Sequence, residues 1–351
     1  MSALEQDAGG GAGGTAVAAR PLLKVEDLRV EFPRGGRAAA AVDGVSFEVA
    51  PGECLALVGE SGSGKSITCQ ALMRLVPEPG RIAAGSVEFD GEQLLEAPES
   101  RLRRVRGGEI AMVFQDPSST LNPVFTVGHQ LVDVIRTHWK CSKARARARA
   151  EEVLGQVGFP DPAARMKSYP GELSGGLKQR ISIALALACE PKLVICDEAT
   201  TNLDVSIQAQ IVELLRRLKS ELGFSIVFVT HDIGLTPHIA DRILVLYAGH
   251  AVEEGPVREV LDRPGHPYTV GLLHAAPSLA SERGVALPTI PGSVPPLGQL
   301  PPGAPFATRC PVLVAGLCDA TEPGWTAAGP GHRVACHRFE RDGTRGTRWV
   351  G

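Results

Sequence analysis

The chain has 351 residues, of which 44% are hydrophobic and 21% charged, so it can bury a sizeable core. Its formal net charge is -3 at pH 7, and the missing basic excess argues against a nucleic-acid-binding protein. No apolar run approaches the roughly 18–20 residues of a membrane-spanning helix.

The N-terminal residues 1–20 are rich in glycine and alanine and contain no apolar signal core. We therefore expect a disordered tail and a protein that stays in the cytosol. The stretches "KVEDLRVEF" and "VSFEVAPGE" predict strands, and "GSVEFDGEQL" predicts a hairpin around Asp90 and Gly91. Residues 126–157 have a helical pattern.

The later part of the chain alternates strands with helices. "KLVIC" and "SIVFV" are short and fully apolar, which is typical of a parallel sheet covered on both faces. Between them, Val205–Leu222 predicts an amphipathic helix. This alternation indicates an α/β fold. Prolines crowd residues 288–305, so we expect little regular structure there and a small appendage over residues 276–351.

The stretch "GESGSGKS" follows the apolar run "CLALV" and satisfies the pattern G-x-x-x-x-G-K-[ST]. Its glycines allow backbone N–H groups to surround a phosphate, and the following helix adds partial positive charge. Lys65 is predicted to reach the β and γ phosphates and Ser66 to ligate Mg²⁺. The predicted nucleotide contacts are Gly59, Ser61, Gly62, Ser63, Gly64, Lys65, Ser66 and Ile67.

Acidic and imidazole side chains follow two of the apolar strands. In "KLVICDE", Asp197 can hold Mg²⁺ through water, and Glu198 can act as the general base for the attacking water. In "VFVTHD", His231 lies just past a strand end, where it can touch the γ-phosphate. Surface or helix-capping roles are the alternatives for all three.

A second candidate phosphate cradle occurs in "LSGGLKQR", where Ser174 and two glycines begin an apolar helix. One nucleotide rarely needs two such cradles from one chain. We therefore expect a dimer in which the second cradle of each chain closes on the nucleotide of the other.

Together these motifs resemble the ATP-binding cassette (ABC) ATPases, in that family's order. The resemblance covers the Walker A loop Gly59–Ser66, the Q-loop Gln115, the signature "LSGGLKQR", the Walker B strand, the D-loop "TNLD" and the switch His231. It implies an α/β, P-loop ABC-type nucleotide-binding domain over residues 21–275, with a RecA-like core sheet, an antiparallel β subdomain and a helical signature subdomain. It also implies ATP hydrolysis with ATP and Mg²⁺.

The resemblance implies roles for further residues. Phe32 would stack on adenine with Val42 beside it, and Gln115 would contact Mg²⁺ and link the site to a membrane partner. Glu198 would be the base, and His231 would orient the γ-phosphate and water. The contacts with the partner chain are implied for Ser174, Gly175, Gly176 and the D-loop Asp204.

The chain departs from the usual pattern at Leu177, Ala199 and Asn202. These residues could alter the dimer interface, but they remove no catalytic group, so we expect hydrolysis.

Three further stretches, "FQDPSSTLNPVFTVGHQL", "LDVSIQAQIVELL" and "HPYTVGLLHAAPSL", resemble the ATPase subunits of peptide/nickel importers, the oligopeptide and dipeptide permease group. This resemblance implies a peripheral protein on the cytoplasmic face of the inner membrane that energises di- and oligopeptide import. Its implied partners are two permease subunits, a second ABC ATPase that we expect to be a paralogue, and indirectly an extracytoplasmic solute-binding protein. Nickel, glycosides or opines as the solute stay open, as do an exporter ATPase and a non-transport ABC ATPase.

The C-terminal region contains Cys310, Cys318 and Cys336. Some members of the resembled group carry four cysteines here, which can hold a [4Fe-4S] cluster, but this chain has Ala304 at the first of the four positions. Three interpretations stay open: a cluster with His332 or His337 as a substitute ligand, a zinc site, or free thiols.

The basic segment "KCSKARARARAEEV" distributes its charges around the predicted helix. We expect its basic side chains, Arg149 among them, to form a solvated face, with contact to anionic lipid headgroups as an alternative.

Overall fold

Short apolar strands form the parallel centre of the larger sheet. The computed structural model describes residues 20–201, 203–276 and 289–342. Every residue of β3 (Cys54–Val58), β7 (Leu193–Asp197) and β8 (Ser225–Thr230) is buried, as expected for strands covered on both faces. With β6 (Ile110–Val113) and β9 (Arg242–Tyr247) they run parallel in the order β9-β3-β8-β7-β6. Their carboxyl ends therefore meet at one edge.

Helices cover this sheet, and several of them begin at a side-chain cap, such as Thr126, Ser142 or Asp204. Over the described residues they are α1 (Lys65–Leu72), α2 (Glu99–Val105), α3 (Pro117–Thr120), α4 (Val127–Trp139), α5 (Lys143–Gln156), α6 (Pro162–Arg165), α7 (Gly175–Leu187), α8 (Val205–Leu222), α9 (Val257–Asp262), α10 (Pro267–Ala275) and α11 (His337–Asp342). The predicted amphipathic helix is confirmed as α8, which ends at Gly223 in the left-handed conformation. None of the helices in the described ranges is both long and apolar enough to cross a bilayer.

The segment predicted to be helical over residues 126–157 is two helices. Helix α4 ends at Trp139 and is followed by Lys140, whose φ is 47°. Helix α5 begins after Ser142, whose side chain accepts a hydrogen bond from the N–H of Arg145. Both helices pack against α7. The break allows the two helices to pack against each other as well.

Arg149 on α5 is the exception to the predicted solvated basic face, whose other basic side chains, over residues 140–147, are exposed. Its side chain is 6% exposed and donates hydrogen bonds of 3.2 Å to the carbonyls of Leu187 and Ala188. The last carbonyls of a helix lack partners within the helix, and a cation is favourable beside them. Arg149 therefore satisfies the C-terminal end of α7 instead of facing water.

A second, antiparallel sheet covers part of the first. It consists of β1 (Leu23–Arg34), β2 (Arg37–Val49), β4 (Arg81–Phe89) and β5 (Glu92–Gln93) in the order β2-β1-β4-β5. Its inward side chains share one apolar cluster with Leu55 and Leu57 of β3. The hairpin predicted around Asp90 and Gly91 is confirmed, since both residues have positive φ and β4 pairs with β5.

The C-terminal region extends the larger sheet. The strand β12 (His332–Ala335) pairs with β10 (His250–Pro256) on one side and with β11 (Trp325–Gly329) on the other. A fully buried contact of 2.8 Å between His332 and Glu253 fixes this junction. Residues 289–306 contain no helix or strand, as the prolines predicted, but the hairpin that follows them was not predicted.

Candidate active site

The phosphate loop lies between β3 and α1, with glycine where the backbone requires it. Gly62 and Gly64 have φ of 81° and 99°, a region that favours glycine. A Cβ at Gly64 would also lie 2.8 Å from the carbonyl oxygen of Ala41. The loop therefore runs close to β2 and leads directly into the N-terminus of α1, an arrangement suited to binding an anion.

Lys65 is held inside this loop. Its side chain is 3% exposed, and Nζ donates to the carbonyl oxygens of Gly59 at 2.7 Å and Glu60 at 2.9 Å. Burial lowers the pKa of Lys65, and the nearby carboxylates of Glu198 and Asp197 oppose that change. The ammonium group is thus placed where the loop would surround phosphates.

The predicted Mg²⁺ ligands Ser66 and Asp197 lie beside each other. The hydroxyl of Ser66 donates to Oδ1 of Asp197 at 2.8 Å, which joins the start of α1 to the end of β7. Burial raises the pKa of Asp197, and the hydrogen bond from Ser66 acts in the opposite direction. A hydroxyl and a carboxylate are oxygen donors of the kind that Mg²⁺ prefers, so the donor set fits the ion.

Glu198 is the centre of a polar cluster at the carboxyl edge of the sheet. Its Oε2 accepts hydrogen bonds from Nε2 of Gln115 at 3.0 Å and from the hydroxyl of Thr201 at 3.1 Å. Nδ1 of His231 lies 3.6 Å from the same oxygen, and Nζ of Lys65 lies 3.7 Å from Oε1. Thr201 was not predicted, although its position three residues after Glu198 could have suggested it.

The charges in this cluster favour an ionised Glu198. His231 lowers the pKa of Glu198, and in return the carboxylate of Glu198 raises the pKa of His231. An ionised carboxylate within hydrogen-bonding reach of a bound water is what a general base requires.

These side chains line a cavity of about 870 Å³, a size typical of small-molecule sites. Gln115, Glu198 and His231 form one part of its wall. Another part, which the sequence did not predict, belongs to the C-terminal region and is formed by Thr289, Ile290, Gly292, Ser293 and Val294.

The signature residues at the start of α7 do not line this cavity. Ser174 and Gly175 are exposed at the start of α7, and in the described structure the Ser174 side chain makes no capping hydrogen bond. Gly176 packs against Ile207, since a Cβ there would lie 2.9 Å from Cγ2 of that residue. Residues 174–176 are not among the described residues that line the cavity.

The D-loop Asp204 caps a helix. Its carboxylate accepts hydrogen bonds from the Ser206 hydroxyl at 2.6 Å and the Ile207 N–H at 2.9 Å, and these bonds lower its pKa. Ala199 is buried, Leu177 is half-buried, and Asn202 lies outside the described residues.

The two predicted adenine contacts differ in exposure. The ring of Phe32 is half-buried and packs on Gly80, where a Cβ would lie 2.5 Å from ring atoms. The side chain of Val42 is fully buried in the antiparallel subdomain, so a contact with a nucleotide would have to come from its backbone.

Cys310, Cys318 and Cys336 line one cavity of about 20 Å³ together with Ala304 and His337. Burial raises the pKa of Cys310 to about 11 and also raises the pKa of Cys336. The other candidate ligand, His332, contacts Glu253 instead. Within the described ranges, no group of three or more His, Cys, Asp or Glu residues is arranged to hold a metal ion. The predicted iron–sulfur and zinc sites are therefore not supported.

Comparisons with known proteins identify the family of the chain. Residues 42–201 match the family model described as ABC transporter, and residues 252–318 match the model for the oligopeptide/dipeptide transporter C-terminal region. A peptide import ATP-binding protein of Brucella abortus (strain 2308) is 51% identical over 83% of this chain and 87% of its own length. A second protein of that strain with the same description is 46% identical over 92% of this chain and 98% of its own.

Solved structures show the same fold. The dimeric ATP-binding cassette MJ0796, in a post-hydrolysis state bound to ADP and Pi, has a TM-score of 0.60 and 28% identity over 67% of this chain and 99% of its own. CbiO1 from Clostridium perfringens, part of the ABC transporter complex cbiONQ, has the same TM-score and identity over 69% of this chain and 91% of its own. The predicted ABC-type nucleotide-binding fold is thereby confirmed, and the chain belongs to the ATP-binding proteins of the ABC transporter family.

Proposed function

We propose that this ATPase energises an importer of di- and oligopeptides from the cytoplasmic face of the inner membrane. The observation that carries the proposal is the meeting of Lys65, Asp197, Glu198 and His231 at one sheet edge. Glu198 and His231 also line the cavity that the phosphate loop borders. The peptide import relatives support the solute class, because they match 83% and 92% of this chain.

The residues of the site divide the work of hydrolysis. The loop N–H groups and Lys65 bind the phosphates of ATP, with Phe32 as the platform for adenine. Glu198 takes a proton from water as the water oxygen attacks the γ-phosphorus, and the bond to the ADP oxygen breaks. His231 orients the γ-phosphate and the water. Ser66, Asp197 and Gln115 would hold Mg²⁺, which neutralises charge on the phosphates when bound.

Two chains act together in this proposal. The start of α7, where Ser174 and Gly175 are exposed, would present Ser174, Gly175 and Gly176 to the ATP of a second ABC subunit, which we take to be a paralogue. Asp204 would contribute to the same interface. The dimeric MJ0796 structure supports such pairing. Closure on ATP and reopening after hydrolysis would drive two separate permease subunits through alternating access, with Gln115 linking the site to them. An extracytoplasmic protein would deliver the solute.

Uptake of labelled solutes tests the proposed importer. Cells that express the chain with Lys65→Ala should lose uptake of a labelled tripeptide and keep uptake of labelled nickel and of a labelled glycoside. A loss of nickel or glycoside uptake with normal peptide uptake would assign the motor to that other solute. Normal uptake of all of them would contradict the transport role.

A further inference from the structure

One arginine of the C-terminal region reaches the phosphate loop. Arg309 lies in the short 3-10 turn Ala307–Arg309, and its side chain is 4% exposed. Nη1 donates to Oε2 of Glu60 at 2.7 Å and Nη2 donates to Oε1 at 3.1 Å. Such a bidentate salt bridge between guanidinium and carboxylate fixes the relative orientation of the two groups and also pairs their charges. Glu60 is the second residue of the phosphate loop.

The backbone of Glu60 is held as firmly as its side chain. Its N–H donates to the hydroxyl of Tyr268 at 2.7 Å, and its carbonyl oxygen accepts from Nζ of Lys65 at 2.9 Å. Glu60 is therefore bonded on one side to the C-terminal part of the chain and on the other to the lysine that binds phosphates.

Two aromatic rings also pack against the guanidinium. Its centre lies 5.7 Å from the ring of Tyr247 and 6.0 Å from that of Phe306. The Tyr247 ring packs edge-on against Tyr268 at 4.8 Å and against Phe306 at 5.0 Å. A rigid aromatic cluster of this kind leaves Arg309 little freedom to leave Glu60.

The same guanidinium holds part of the cavity wall. Nε of Arg309 donates to the carbonyl oxygen of Pro291 at 2.8 Å, and Nη2 donates to that of Ile290 at 3.2 Å. Ile290 lines the cavity that contains Glu198 and His231. One side chain thus joins the phosphate loop to the C-terminal segment that faces the catalytic groups.

We propose that Arg309 is a positioning residue for nucleotide binding, acting through Glu60 on the phosphate loop. The C-terminal region then contributes directly to ATP affinity. This inference rests on the proposed binding of ATP at that loop. Loss of the guanidinium would free the Glu60 side chain. The phosphate loop would then lose conformational entropy when phosphate binds, and this loss would weaken the affinity.

A double-mutant cycle on the full chain tests the proposal, with affinity for a fluorescent ATP analogue and the KM and kcat of hydrolysis as readouts. Arg309→Met should weaken binding about tenfold, a coupling typical of residues in contact. KM should rise by a similar factor with little change in kcat, because Glu198 and His231 are not altered. Arg309→Lys should recover part of the affinity. In a Glu60→Gln background, Arg309→Met should cause little further loss.

Arg333→Met is the matched control. Arg333 is also in the C-terminal region and also donates to a glutamate, with Nε 2.7 Å from Oε2 of Glu254, but it lies on β12. It should leave nucleotide affinity unchanged. An equal loss of affinity in this variant would show a general effect of disturbing the region and would contradict a specific role for Arg309.

The other outcomes are also decisive. Parental affinity in a folded Arg309→Met variant, or losses that simply add in the double variant, would overturn the proposal. If Arg309→Met does not fold, Glu60→Gln alone must weaken binding of the ATP analogue. This substitution removes the carboxylate charge that pairs with Arg309, and it does so at the more exposed of the two residues. Lys65→Ala distinguishes failure of the ATP site from failure of the positioning role. If Lys65→Ala binds the analogue normally, the proposed ATP site is wrong. If Lys65→Ala loses binding while Arg309→Met binds normally, only the positioning role of Arg309 is refuted.

Discussion

Glu198→Gln tests the catalytic assignment most sharply, because it changes charge without changing shape. The amide oxygen of glutamine can still accept the hydrogen bonds that Gln115 and Thr201 donate to Oε2 of Glu198. The volume of the side chain is unchanged, so we expect the fold to be kept. What disappears is the ability to take a proton from water.

The expected loss follows from that single function. General-base catalysis contributes about 10²–10⁴ in rate, so kcat should fall by that factor, equivalent to about 3–5 kcal/mol at 1.36 kcal/mol per tenfold. Nucleotide binding should be kept or become tighter. The carboxylate lies 3.7 Å from Nζ of Lys65, and its removal leaves the ammonium free for the phosphates.

The assay is phosphate release by the chain together with its membrane partners, with binding of a fluorescent ATP analogue measured on the same samples. Glu213→Gln is the control, because Glu213 is an exposed carboxylate on α8 that pairs with Arg216. It should hydrolyse ATP at the parental rate. Parental turnover in Glu198→Gln would show that another group activates the water.

Four further predictions concern charge and thiol chemistry. Lys65→Ala should weaken ATP binding about 10–100-fold, because a charge-assisted contact is lost, and calorimetric titration with unchanged affinity would contradict this. In Glu198→Gln the pKa of His231 should fall, because the carboxylate of Glu198 is the main cause of its rise. An unchanged titration midpoint of His231, measured by NMR, would show that His231 and Glu198 do not interact. The stabilisation that comes from the raised pKa of His231 is fully present below its ordinary pKa of 6.5 and is lost as pH rises through the raised value. The stabilisation that comes from the lowered pKa of Glu198 is present above its ordinary pKa of 4.5 and is lost as pH falls through the lowered value. The parent and His231→Gln should therefore differ most in melting temperature between these limits. With a pKa of about 11, Cys310 is about one-thousandth thiolate at pH 8 and should react slowly with a disulfide reagent. Bound iron or zinc in the purified protein, or an absorption band near ~400 nm, would contradict free thiols.

Local patterns predicted much of the fold. Helix α8 was predicted with the bounds that the structure has, because its apolar residues recur with a helical period. In the structure Asp204 and Gly223 cap its two ends. Glu198 and His231 could be predicted as site residues because each directly follows a buried strand, and parallel strands bring such residues to one edge.

Contacts between distant parts of the chain were not predicted. The burial of Arg149 depends on the end of α7, which packs beside it only after folding. The hairpin β11–β12 has little apolar alternation of its own, and it is stable because β10 offers a free edge. The bond between Arg309 and Glu60 joins residues 249 positions apart, which no local pattern reveals.

Purification from native membranes in mild detergent, followed by mass spectrometry of everything that accompanies the chain, tests the central claim most directly. An ATPase that energises an importer should bring two permease subunits and a second ABC subunit, and the complex should hydrolyse ATP. Recovery of the chain alone, or with DNA or ribosomes, would contradict the importer and indicate an ABC ATPase without a transport role.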